Sequence, residues 1–192
     1  MSKPNSFVRI PKERVGVLIG PEGSVKRTVE ERLQVQLEID GESGGVEITL
    51  NEAATDPSLL FRAKDVVTAV GRGFSPDQAF RLIRNEDAAF DFIDLRTIFG
   101  RSDSDIRRVK SRIIGMNGKT RRTIEELTEA DVVVYGHTVG FIGTFEQVDV
   151  ARYAVQMIIQ GSEHHSVYNF LQKKRRELKK RQLDLWEKKG EK

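Results

Sequence analysis

The chain has 192 residues, 38% of them hydrophobic and 32% charged, with a formal net charge of +3. That length suits one large domain or two small ones with a tail. No stretch approaches the apolar length of a membrane-spanning helix, and the N-terminal residues lack the apolar run of a secretory signal. Without cysteine, the chain forms no disulfide and no cysteine-ligated metal site. A cytoplasmic protein that does not engage membranes is the expectation.

Taken in chain order, Phe7-Val8-Arg9-Ile10 reads as a short strand, after which Pro11 opens a helix that stops at Gly20. A second helix begins after Gly23, with Val25 and Val29 four apart on its inner face. Val35, Leu37 and Ile39 alternate as a strand, residues 41–45 turn, and Val46, Ile48 and Leu50 form the return strand. Asp56-Pro57 caps a helix that glycines 71 and 73 terminate. Ser75-Pro76-Asp77-Gln78 then starts a linking helix whose Phe80, Leu82 and Ile83 are apolar enough to pack across a boundary into a rigid tandem.

The order then repeats. Phe92, Ile93 and Leu95 mark a strand, and Ser104 caps a helix reaching Ile114. Residues 115–118 link it to a helix ending near Thr128, and two strands turned at Gly136-His137 follow. Thr144-Phe145-Glu146-Gln147 is a capping box for a helix running to Gly161. Residues beyond 161 read as a last helix entering a basic tail. Residues 18–31 (LIGPEGSVKRTVEE) and 113–126 (IIGMNGKTRRTIEE) are identical at seven of fourteen positions without a gap. One supersecondary unit therefore occurs twice, in the order βααββα: residues 1–74 and 89–161, with a linker at 75–88 and a tail at 162–192. The fold class expected is α+β.

A Gly-x-x-Gly loop between two helices lets a phosphate backbone approach the main chain, because glycine has no Cβ. The following helix offers free N–H groups and the positive end of its dipole. Both loops, Gly20-Pro21-Glu22-Gly23 and Gly115-Met116-Asn117-Gly118, have this form. Gly118-Lys119-Thr120 imitates the end of a nucleotide-binding P-loop, but that motif needs glycine at 113, where Ile stands, and a strand rather than a helix before the loop.

Charge separates the two copies. From Ile106 to Ile124 there are seven basic residues (Arg107, Arg108, Lys110, Arg112, Lys119, Arg121, Arg122) and no acid. The corresponding 12–29 stretch holds four basic residues (Lys12, Arg14, Lys26, Arg27) and two acids. One acid is Glu22, inside the loop beside Pro21, which removes an N–H donor. RNA is therefore expected on the second copy, at Arg108, Arg112, Ile113, Ile114, Gly115, Met116, Asn117, Gly118, Lys119, Thr120, Arg121 and Arg122. The first copy, through Gly20, Pro21, Glu22, Gly23, Lys26 and Arg27, contributes weakly or serves as a scaffold.

Charge also divides the chain end to end. Residues 173–192 hold ten Lys or Arg and four acids, so the tail is +6 and the preceding 172 residues sum to −3. Such a tail touches nucleic acid or an acidic partner, or serves only solubility. Leu178, Leu183, Leu185 and Trp186 form either a partner-docking stripe or a face packed back on the protein. His137, His164 and His165 lack a third ligand at metal spacing, and Glu125 and Glu126 read as helix pairs to Arg121 and Arg122. Neither catalysis nor a cofactor is expected.

Taken together, Gly71-Arg72-Gly73-Phe74-Ser75-Pro76, Phe92-Ile93-Asp94-Leu95, and Arg112-Ile113-Ile114-Gly115 followed by Gly118-Lys119-Thr120-Arg121-Arg122 resemble the partner-of-Nob family of KH ribosome-assembly factors, in its archaeal form. The resemblance covers nearly the whole chain and is more specific than a generic KH match. It implies two tandem type I KH domains and a non-enzymatic factor that binds single-stranded small-subunit rRNA near its 3′ end during pre-rRNA processing. It also implies cooperation with the Nob endonuclease. Met116-Asn117 departs from the common KH loop, which carries a basic residue, and Lys119 stands immediately behind. The alternative is a KH-fold interaction scaffold that recruits a nuclease or a translation or ribosome partner.

Overall fold

The computed structural model describes residues 4–54 and 56–189, with side chains described as far as residue 180. In the first half β1 (Asn5–Arg9), α1 (Lys12–Ile19), α2 (Ser24–Leu33), β2 (Val35–Ile39), β3 (Gly45–Leu50) and α3 (Ser58–Gly71) follow in order. Two short helices, α4 (Pro76–Ala79) and α5 (Arg81–Arg84), lead into the second half. There β4 (Ala88–Asp94), α6 (Leu95–Phe99), α7 (Asp103–Ile114), α8 (Lys119–Thr128), β5 (Asp131–Tyr135), β6 (Thr138–Thr144) and α9 (Phe145–Ile159) precede the long α10 (His164–Lys189). One turn of 3-10 helix, Pro21–Gly23 or Met116–Gly118, joins α1 to α2 and α7 to α8.

Each half folds a three-stranded antiparallel sheet in which the last strand lies in the middle, in the orders β1-β3-β2 and β4-β6-β5. The register pairs Leu37 with Ile48 and Val134 with Val139. Alternation drives the first sheet: Val35 and Leu37 are buried while Gln36 and Glu38 face solvent. Leu18, Val29, Leu33 and Ile48 meet Val66 and Val70 of α3 in the first core. Ile113, Ile124, Val139 and Val155 build the second.

Caps set several boundaries. Thr144 and Gln147 close a reciprocal capping box at the start of α9, and Ser75 and Gln78 do so for α4. Several boundaries differ from the sequence expectation: β4 begins at Ala88 rather than near Phe92, and the linking helix is two short ones, α4 and α5. Pro11 is the cap of α1 rather than its first residue, because its extended ψ of 140° lies outside the helix. Ser102, not Ser104, caps α7, since its side chain accepts the Asp105 N–H. Leu95 leaves the strand to open α6, because the Asp94 carboxylate accepts the Arg96 N–H at 2.9 Å and turns the chain.

The two halves share apolar surface. Phe74, Ala79 and Leu82 are buried in a cluster that also takes in Ile142 of β6 and packs against Phe90 and Val133. Phe74 meets Phe90 edge-on at 6.1 Å and lies over Gly140, where a Cβ would come within 2.6 Å of the Phe74 ring. The face of the second sheet turned away from its helices is thus covered by the first half. Arg81 pairs with Asp131 at 2.6 Å. The Tyr135 hydroxyl donates to Glu13 at 2.7 Å, which holds that carboxyl below its ordinary range. The equivalent face of the first sheet is open, with Phe7 67% exposed and Glu38 and Glu47 beside it.

Val167 and Leu171 of α10 are fully buried in the second core. The first two turns of α10 therefore pack against the body of the second half. No helix among the described residues is long and apolar enough to cross a membrane. Leu183, Leu185 and Trp186 lie outside the residues whose side chains are described.

Candidate nucleic-acid interface

Residues 115–118 turn the chain between α7 and α8, and glycine is required at both ends. Gly115 has φ 73° and Gly118 φ 75°, in the region L side chains rarely adopt. The two glycines face different surroundings. A Cβ at Gly115 would meet Thr120 Oγ1 at 2.2 Å, whereas at Gly118 the nearest atom is Arg122 Nε at 4.0 Å. Gly115 is needed for packing inward, and Gly118 leaves the main chain open to an incoming group. Asn117 between them also takes a left-handed conformation, with φ 52°, which Asn tolerates better than most residues.

α8 starts directly after Gly118 with no side-chain cap. Its first N–H groups and the positive end of its dipole therefore point at the loop mouth, an arrangement that favours an anion. Lys119 and Arg122 are exposed beside it, and the Arg122 guanidinium donates to the Asn117 carbonyl at 2.6 Å, bracing the loop tip. Met116 projects 81% exposed from the tip. Arg107 and Arg108 are exposed farther back on α7, Arg108 in a surface pair with Asp105 at 2.9 Å.

Other residues expected at the site make contacts that hold the fold. Ile113 is fully buried and Thr120 almost so, which keeps both side chains from a solvent-borne strand. Arg112 donates to the Ile158 carbonyl at 2.8 Å and the Ser162 carbonyl at 2.6 Å, satisfying carbonyls at and just beyond the end of α9. Arg121 reaches Glu125 and the Val132 carbonyl at 3.3 and 3.2 Å. Glu125 in turn accepts the Val132 N–H at 3.0 Å, so this pair ties α8 to the outer edge of β5. Burial pushes the Glu125 pKa up, against the pull of that N–H and of Arg121. Ile114 is half-buried at the end of α7.

The structure gathers residues that the expected RNA site left out, Arg107 and Lys110 of the basic stretch among them. A groove of about 280 Å³ lies between α6, α7 and the β5–β6 turn, lined by Arg96, Asp103, Ile106, Arg107, Lys110 and His137 together with Gly136. Lys110 bridges it by donating to the Gly136 carbonyl at 2.6 Å. Burial lowers the His137 pKa against the raising influence of Asp94, favouring the neutral ring. α7 thus has the loop at one end and a basic groove along its flank. Tyr168 of α10 donates to Thr120 Oγ1 at 3.1 Å, and His164 Nε2–H donates to the Arg112 carbonyl at 2.9 Å. Both residues come from beyond the repeat, which is why the repeat did not disclose them.

The first half repeats the geometry with different side chains. Gly20, Glu22 and Gly23 have φ 73°, 52° and 76°, within a degree of Gly115, Asn117 and Gly118. Arg27 bonds the Glu22 carbonyl at 3.4 Å as Arg122 bonds that of Asn117. Lys26 pairs with Glu30 at 3.8 Å, and Glu30 accepts the Leu37 N–H at 2.8 Å. Pro21 and Glu22 are exposed at the tip. Among the described residues no group of three His, Cys, Asp or Glu could hold a metal ion.

A three-stranded sheet backed by helices, with a Gly-x-x-Gly turn leading into an uncapped helix, defines the second half as a KH-type nucleic-acid-binding domain. The family model for the second KH domain of PNO1, described as a eukaryotic type KH-domain (KH-domain type I), matches residues 89–176. The KH domain-containing protein MJ0443 of Methanocaldococcus jannaschii is 44% identical over 189 residues, covering 98% of this chain and 82% of that protein. The pre-rRNA-processing protein PNO1 of Coccidioides immitis is 27% identical over 167 residues, 87% of this chain and 66% of its own length. A chain in the crystal structure of an a/eIF2α–aDim2p–rRNA complex from Pyrococcus horikoshii superimposes with a TM-score of 0.84 at 42% identity, covering 91% of this chain and 96% of that one. The chain belongs to the PNO1, or partner-of-Nob, family of KH ribosome-assembly factors.

Proposed function

We propose that this protein is an RNA-binding factor of pre-rRNA processing that holds single-stranded small-subunit rRNA near its 3′ end. The observation that carries the reading is the open Gly118 turn leading into uncapped α8, with Lys119 and Arg122 exposed around it and no acid from 106 to 124. The RNA backbone lies across this turn, and about four nucleotides run along α7 toward the groove at His137. The names of the relatives support the RNA class: one is a pre-rRNA-processing protein and another forms part of an rRNA complex.

In this reading the chain is two tandem type I KH domains, 1–74 and 89–161, with a linker at 75–88 and a basic tail from 162. The first domain holds the second in place and adds little RNA affinity, because Glu22 sets a carboxylate where a phosphate would lie. The protein binds and positions the RNA in the cytoplasm, and a Nob-type endonuclease makes the cut. The test is Gly118→Asp, measured by fluorescence anisotropy with short single-stranded RNA. The side chain meets open space but the left-handed φ of 75° strains it, so circular dichroism verifies the fold, and the folded variant loses at least about tenfold in affinity, on the order of 1.4 kcal/mol. Unchanged affinity in the folded variant would sink the reading.

A second reading makes the protein chiefly a scaffold for a nuclease or a translation partner, and the presence of a/eIF2α in the solved complex of a relative favours it. A pull-down in which the Gly118→Asp variant retains its partner after nuclease treatment, while RNA binding proves dispensable for assembly, supports that role.

A further inference from the structure

α10 does more than close the second core. From His164 to Lys180 its single acid is Glu177, and Lys174 pairs with it at 2.8 Å. Lys173, Arg176, Lys179 and Lys180 are exposed, and among the described residues none of them pairs with a carboxylate. The spacing makes this unfavourable for the helix alone. Arg176 stands three residues from Lys173 and Lys179 and four from Lys180, so like charges are neighbours on one face. Such pairs cost an isolated helix about 0.2–0.5 kcal/mol each. None of the four contributes to either apolar core. The exposed side of α9 is different in kind, carrying Glu146 and Asp149.

Position ties this face to the loop. Tyr168 and His164, in the first turns of α10, are bonded to Thr120 and to the Arg112 carbonyl, the residues that flank the Gly-x-x-Gly turn. At 1.5 Å per residue, Lys173 lies about 8 Å and Lys180 about 18 Å beyond Tyr168 along the axis. α10 runs alongside α8, from Tyr168 bonded to Thr120 to Leu178 and Lys179 in a cleft shared with Leu127, Thr128 and Glu129, so a strand passing from the loop along α8 has α10 as its neighbour.

We propose that the solvent face of α10 is a second phosphate track, with Lys173, Arg176, Lys179 and Lys180 binding the backbone of the same RNA beyond the nucleotides held at the loop. The inference rests on the loop reading above and extends it. A row of cations that form no ion pair among the described residues fits any polyanion, although Glu129 and Glu146 share a cleft with Lys179, and its contiguity with the loop selects the RNA strand over an acidic protein. The site then spans more than the roughly four nucleotides of one KH groove, and the track contributes length-dependent affinity without sequence preference.

The test compares the full-length chain with a variant carrying Lys173→Gln, Arg176→Gln, Lys179→Gln and Lys180→Gln, since glutamine keeps helix propensity. Circular dichroism verifies the fold, and anisotropy titrations use single-stranded RNAs of about five and about fifteen nucleotides at several salt concentrations. The longer RNA loses about tenfold in affinity, and its slope of log K against log salt falls by about 2 to 3, near 0.7 for each lost phosphate contact. The five-nucleotide RNA binds as before. If the quadruple variant does not fold, Lys173→Gln with Arg176→Gln lowers the slope by about 1.4. Unchanged binding and slope for the longer RNA, while Gly118→Asp still weakens both RNAs, overturns the track and leaves the loop site standing. Equal losses for both RNAs also overturn it, and a Gly118→Asp variant that weakens neither removes the loop reading beneath it.

Discussion

The two loops of this protein have nearly the same backbone and opposite chemistry. Gly20, Glu22 and Gly23 repeat the φ angles of Gly115, Asn117 and Gly118 to within a degree, and in both halves a glutamate of the second helix accepts an N–H from the adjoining strand. The backbone of the turn therefore does not by itself separate the two copies. Glycine positions and the helix–strand tie make the shape, and in the proposed reading the two middle positions set how readily a phosphate approaches. Proline and glutamate stand at the tip of one loop, methionine and asparagine at the other. Shape was duplicated while charge diverged.

A second contrast concerns the outer faces of the two sheets. That of the second sheet is covered by Phe74 and its neighbours, while that of the first is open at Phe7. The halves consequently depend on each other unequally, and the largest effect expected of a single substitution tests this. Phe74→Ala removes a fully buried ring from the shared cluster and costs about 3–5 kcal/mol. Because the cavity opens between the halves, chemical denaturation then resolves two transitions where the parent shows one. A loss below about 1 kcal/mol with one sharp transition would mean that the halves stand independently.

Much of this was legible before the structure, for reasons that are local. The element order follows from alternation at Val35, Leu37 and Ile39 and from the repeated glycines. The Thr144–Gln147 capping box needs only its own four residues. The roles of Arg112, Ile113 and Thr120 were not legible, because a basic or polar residue beside a loop looks the same in sequence whether it faces solvent or a neighbouring helix. Arg112 reaches carbonyls 46 and 50 residues away. Nothing in its own segment signals α9, although Arg14 does the same for α3 in the first half, donating to the Val70 and Phe74 carbonyls at 2.8 and 2.6 Å. These arginines sit at non-equivalent positions of the repeat, so aligning the copies does not reveal them.

That assignment carries an intermediate effect. Arg112→Gln strips two charge-assisted bonds from partly buried carbonyls and destabilises the chain by about 1–3 kcal/mol. For a chain of this size that lowers the midpoint of thermal unfolding by roughly 2–4 °C per kcal/mol. Below the transition, RNA affinity stays within about twofold of the parent. A variant with unchanged stability and sharply reduced RNA affinity would return Arg112 to the phosphate site and move the contrast between the halves back onto α7.

The smallest effect is the most direct test of the loops. Glu22→Asn places the residue of the second loop at the matching position of the first, where the left-handed φ of 52° already suits it. Removing the carboxylate from the loop tip eliminates repulsion toward a phosphate, and Lys26 and Arg27 remain in place behind it. In a Gly118→Asp background, where the second loop is silenced, residual RNA binding rises by a few-fold, under about 1 kcal/mol. Adding Pro21→Met restores the missing N–H donor and raises it further. The gain shrinks as salt increases, because it comes from relieved charge repulsion. If the background stays flat through both substitutions, the weakness of the first loop lies outside its tip, in the acids that surround it or in the shape of its own groove.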